Sequence, residues 1–67
     1  MSRLDQTTIA VCARFDAGLA SIAETSSALE TIIGRATFDR NYSDSPCSYN
    51  RFDNIVKFAT RKQNELR

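Results

Sequence analysis

Chemistry in this chain has to come from a few cations and aromatic rings, because the common catalytic groups are missing. The 67 residues include no His, so no imidazole base is available. No Gly-rich phosphate loop or nucleophile elbow is present. The carboxylates Asp5, Asp16, Glu24, Glu30, Asp39, Asp44, Asp53 and Glu65 are scattered rather than paired. Asp39 and Asp44 stand close, but Arg40 lies between them and Arg35 is nearby, so solvation explains them better than acid–base work. Two Cys cannot close a zinc site that wants four ligands. The pattern argues against an enzyme and calls for no cofactor and no metal.

Binding chemistry is better represented. Lys57 and Arg61 are four apart and neighbour each other on a helix, and Arg51, Asn54 and Lys57 follow at steps of three. Phe38 and Tyr42 interrupt a polar stretch that also holds Arg40, with Tyr49 not far beyond. Aromatics with Arg are the composition of protein hot spots, and also of nucleotide pockets and single-strand contacts. The candidate contact residues are therefore Phe38, Arg40, Tyr42, Tyr49, Arg51, Lys57 and Arg61. The plainer account is that the charged ones form solvated faces.

Charge is uneven although the net value is only +1. Residues 1–34 carry −2 and residues 35–44 balance. From Ser45 on, Arg51, Lys57, Arg61, Lys62 and Arg67 face Asp53 and Glu65, giving +3. A duplex binder usually has a larger basic surplus.

Two stripes at helical spacing must position these groups. Cys12, Phe15, Leu19, Ile22, Ser26, Leu29 and Ile33 follow in steps of three and four. Tyr49, Phe52, Val56, Ala59, Gln63 and Leu66 do the same. Such steps keep side chains on one face of a helix. The pattern predicts an all-α, two-helix antiparallel hairpin forming a single domain. Its elements are a long helix over about 3–33, a polar loop over about 34–45 and a shorter helix over about 46–66. Ser2 with Asp5 reads as the first cap, Gly34 as the C-cap, and Ser45-Pro46 as the start of the second helix. Ser27 with Glu30 offers a break, but the register passes through Ser26 without a slip, which favours one continuous helix. Gly18 is then either a tolerated surface residue or a place for another helix to approach.

A core of this size rarely supplies more than about 3–5 kcal/mol. A Cys12–Cys47 bond is disfavoured, because about 30 Å of helix separates the two in a hairpin and a disulfide needs Cα atoms within about 7 Å. Cys12 reads as a core residue and Cys47 as an inert thiol in the first turn of the second helix. Self-association is the remaining source of stability. A seam of Phe15, Leu19, Ile22, Leu29, Ile33, Phe52, Ile55 and Val56 is expected to join copies into a helical bundle. Leu4, Ile9 and Val11 extend past the shorter helix and add to the strip needing cover.

The expected function is stoichiometric binding of another protein by a homo-oligomer, as an adaptor, inhibitor or chaperone-like partner. One alternative is an oligomer that sequesters a nucleotide or cyclic nucleotide, with cations on phosphate and a Tyr on the base. A second is weak nucleic-acid binding through the basic helix. The opening residues lack the apolar core of a signal peptide, and no run approaches the about 20 residues a membrane span needs. A cytoplasmic protein, of bacterial or viral kind, is expected.

Overall fold

The computed structural model describes residues 3–66. It is all-helical, with three helices rather than two and no strand among the described residues. They are α1 (Arg3–Asp16), α2 (Ile22–Asn41) and α3 (Pro46–Glu65). The expected Ser2 cap lies outside the described residues.

The long first helix is broken, and the new helix is capped six residues before the site the sequence suggested, at Ser21 rather than Ser27. Gly18 takes φ +76°, the left-handed conformation that other residues enter at a cost. Leu19 N–H donates to Arg14 O at 2.8 Å and Gly18 N–H to Phe15 O at 3.0 Å. These two bonds close α1 with a Schellman motif. Ser21 then caps α2: its Oγ accepts from Glu24 N–H at 3.1 Å. The capping pair is thus Ser21 with Glu24, not Ser27 with Glu30. Gly18 is a terminator and not a residue in mid-helix.

The loop is correspondingly shorter than expected. Gly34 caps nothing, and α2 runs through it to Asn41. Ala36, two residues on, is fully buried against α3, so tertiary packing offsets the helix-weakening effect of Gly34. Residues 35–41 are helix and only Tyr42–Ser45 remain as connection. Ser45 and Pro46 do start α3, with Ser45 Oγ accepting from Ser48 N–H at 3.2 Å.

The core lies mainly between α2 and α3. Leu29, Ile32, Ala36, Ile55 and Ala59 are buried, and Ile33, Phe52, Val56 and Leu66 pack against them. The polar members of the two stripes meet each other: Gln63 Nε2 donates to Ser26 O at 3.3 Å. Because α1 folds back, Leu4 and Val11 also reach this core, leaving Ile9 as the exposed member of that trio. Cys12 packs there too. The α1 helix runs in the same sense as α3. Thr8 and Ile9 share a hollow with Ile55 and Phe58, while Cys12 and Phe15 share one with Lys62 and Leu66.

This arrangement alters the expected seam. Leu29 and Ile55 are covered within the chain, and Ile33, Phe52 and Val56 are partly covered there. Phe15 is half-buried beside the hollow under α1. Only Leu19 and Ile22, at the α1–α2 turn, are left exposed. A five-residue turn lets α1 cover part of the apolar strip within the chain, through Leu4, Val11 and Cys12.

Candidate interaction surface

Four residues of α3, Tyr49, Asp53, Lys57 and Arg61, stand at successive i+4 positions. They form one inclined row along the helix. The Ser45 cap and Pro46 fix where that row begins. Arg40, in the last turn of α2, reaches across to it. Its Nη1 donates to Asp53 Oδ1 at 2.8 Å. Its guanidinium carbon lies 5.6 Å from the centre of the Tyr49 ring. Lys57 Nζ holds the other carboxylate oxygen, Oδ2, at 3.0 Å.

The electrostatics follow from this geometry. Hydrogen bonds from Lys57 and then Arg40 hold the Asp53 carboxyl below its usual range, outweighing partial desolvation. Arg40 and Asp53 keep only 23% and 20% of their side-chain surface in water, whereas Lys57 keeps 73%. The inner pair is therefore a fixed strut and Lys57 a reachable cation. Arg40 Nε is buried without a hydrogen-bond partner, a desolvation cost that works against the bond from Nη1 to Asp53. Beyond Lys57, a shallow depression lined by Val56, Thr60, Arg61, Asn64 and the acidic Glu65 continues the row.

Phe38 and Tyr42 belong to a different surface. Their rings stack at 4.6 Å between centroids, tilted by 33°. Both are exposed, 58% and 73%. Arg40 is about 200° round α2 from Phe38, so the stacked pair faces away from α3. Arg51 is apart as well, about 120° round α3 from Lys57. The seven candidate contact residues thus fall into three places. Arg40, Tyr49 and Lys57 are gathered around Asp53, with Arg61 one turn further along the inclined row, Phe38 and Tyr42 stand on a second surface, and Arg51 on a third. Asp53, which organises the first surface, is one of the carboxylates that look scattered in the sequence. Its four-residue spacing to Lys57 was the available signal.

Elsewhere the chemistry is sparse. The hollow under α1, about 200 Å³, is lined by Cys12, Phe15, Leu29 and Lys62 among others. It is smaller than usual small-molecule sites of about 300–1,000 Å³. Burial chiefly pushes the Cys12 thiol up, with Lys62 pulling partly against it. Cys47 is exposed, and both thiols are free. Among the described residues no three Cys, Asp or Glu gather as a metal site would need. No described helix is long and apolar enough to cross a membrane.

Comparison of the chain with protein-family models, with curated proteins and with solved structures gave no match, so its surfaces speak only through their own residues.

Proposed function

We propose that this chain is a non-catalytic interaction protein that works as an oligomer of itself and binds a partner protein stoichiometrically through α3. The observation that carries the reading is the Arg40 strut. One guanidinium ties two helices by bonding Asp53 at 2.8 Å while lying over Tyr49. A surface held this way loses little side-chain freedom when a partner docks, and rigid aromatic–Arg surfaces are where interface energy concentrates. Lys57 and Arg61 extend it as a cationic rim, which selects a partner with an acidic patch. The same strut weighs against a nucleotide ligand. The cation closest to the Tyr49 ring already has a carboxylate, and a phosphate would have to displace it.

The test is affinity capture from source-cell extract with the wild-type chain and with Lys57→Glu/Arg61→Glu. Titration calorimetry on the purified partner follows. The expected result is a partner bound at a fixed ratio by the wild type and lost by the charge-reversed chain. Equal capture by both would remove α3 as the contact. A thermal stabilisation of several degrees by any member of a nucleotide panel, with no protein captured, would replace the reading by anionic-ligand binding.

A further inference from the structure

α1 and α2 are in phase across the turn that separates them. At about 100° per residue, Leu4, Val11, Phe15, Ile22, Leu29 and Ile33 fall within about 40° of one another once residues 3–41 are taken as one helix. A turn that reverses the chain demands no such agreement, because each helix is free to rotate about its own axis. Leu29 is buried, Leu4, Val11 and Ile33 pack against the core, and Phe15 is half-buried. Ile22, on the same side, is 56% exposed, since Gln63 is already level with Ser26 and α3 ends at Glu65. Leu19, in the turn itself, is 68% exposed. The compact chain thus leaves uncovered the residues that join the two halves of its own stripe.

The pairing across the turn is equally specific. Val11, Arg14, Glu24 and Ala28 line one hollow, and Arg3, Leu4, Arg35 and Asp39 line another. α1 is therefore laid back along α2 with Leu19 near the point of reversal. Two straight helices over residues 3–41, antiparallel about a two-fold axis at Leu19, pair residues equally far before and after it. Arg14 then lies beside Glu24 of the other copy, and Leu4 beside its Gly34, one residue from Arg35. One chain alone makes the same neighbourhoods.

We infer that two copies of this chain exchange α1. Residues 17–21 become helical, α1 and α2 join into one helix about 60 Å long, and α1 of each copy docks on the α2–α3 hairpin of the other. The incoming α1 has the same side chains as the one it replaces, so every contact is kept, whatever its charge. Arg14 still meets Glu24, and Arg3 still meets Arg35 beside Asp39. Only the two segments 17–21 are newly adjacent, and they carry no charge. Asp16, just before them, lies level with Ile22 of the other copy and not with its Asp16. Phe15 and Ile22 of both copies gain cover by forming one strip between the ends of the two α3 helices. Against this stand Gly18 in mid-helix and the loss of the Ser21 cap. Exchange of an identical element is a low-cost route to a dimer because only the hinge differs. The compact chain prevails in dilute solution and the exchanged dimer on concentration. The inference rests on the oligomeric half of the proposed function and leaves the α3 row open to a partner.

Sedimentation equilibrium and energy transfer on the full chain test it. Dyes at Gln6→Cys and Cys47 of a Cys12→Ala chain, diluted into excess unlabelled wild type, report a distance within one chain. It should be about 20 Å in the dilute monomer and about 50 Å in the dimer formed on concentration. Gly18→Ala should tighten the dimer at least about tenfold, because the turn loses its left-handed residue and the helix gains a better former. Ile22→Pro should keep the compact monomer and abolish the dimer. Ser21 is extended, at φ −76° and ψ 166°, and Pro suits the first position of α2, but a helix passing through residue 22 needs its N–H. The label distance decides the matter should either of these variants fail to fold. A dimer whose labels stay about 20 Å apart would overturn the exchange alone, as would an Ile22→Pro chain that dimerises like the wild type. A wild type that is monomeric at all concentrations would overturn both the exchange and the oligomeric half of the function.

Discussion

Between α2 and α3 the buried side chains are aliphatic and come from both helices: Leu29, Ile32 and Ala36 on one, Ile55 and Ala59 on the other. On α1, among the described residues, the buried side chain is Thr8, and its hydroxyl donates within its own helix to Leu4 O at 2.8 Å. The hairpin is also tied by polar bonds across it, Arg40 to Asp53 and Gln63 to Ser26. The contrast teaches that the hairpin is the stable unit and that α1 is docked onto it through partly buried Leu4, Val11 and Cys12. Elements with few buried apolar contacts open at lower free energy than the core.

The largest way to break this comparison is to empty the hairpin core. Leu29→Ala should lose about 2–5 kcal/mol, comparable to the whole stability of so small a domain, whereas Val11→Ala should lose about 1 kcal/mol. Urea unfolding followed by circular dichroism measures both. Equal losses would mean that α1 is as integral as α2. Hydrogen exchange sharpens the same point, with α1 amides expected to exchange before those of α2 and α3.

The two glycines give the next effect, with opposite signs. Gly18→Ala must hold a Cβ in the left-handed region and should cost about 1–2 kcal/mol. Gly34→Ala fills open space in mid-helix and should raise stability by about 1 kcal/mol. Melting temperatures of the two variants that moved in the same direction would contradict the assigned termination at Gly18.

A smaller effect is expected from acid. The Asp53 carboxyl is held below its usual range by Lys57 and Arg40, so the native state disfavours its protonation. Its contribution is complete above the unfolded pKa of about 3.9 and is lost as pH falls through the lower folded value. The gap in melting temperature between wild type and Asp53→Asn should therefore be widest near neutrality and close at strongly acidic pH. A gap independent of pH would remove the strut as its cause.

The last prediction leaves stability untouched. Alkylation at mildly alkaline pH should modify exposed Cys47 first and Cys12 slowly, because α1 must open to release a thiol that burial has pushed up. Mass spectrometry of partly labelled protein reads the order. Equal rates would show α1 detached in solution.

Residue types and spacing by themselves determined that the chain is helical, that Ser45-Pro46 opens α3, and that Leu29, Phe52, Ile55 and Val56 lie on apolar faces. These are local properties, set by backbone preference and by which side of a helix must leave water. Only the tertiary structure decided where the helices stop and what covers the stripes. Gly18 and Gly34 look alike in sequence, yet one ends α1 and the other is carried through α2 because Ala36 and Arg40 find partners on α3. The 3-4 register through Leu19 and Ile22 hid the break, since a stripe can continue in sequence across a turn that reverses the chain. The split of Phe38 and Tyr42 from Arg40 and Tyr49 is equally hidden in a sequence whose residues 34–45 resemble a loop, because side chains acquire faces only once the backbone between them is a helix.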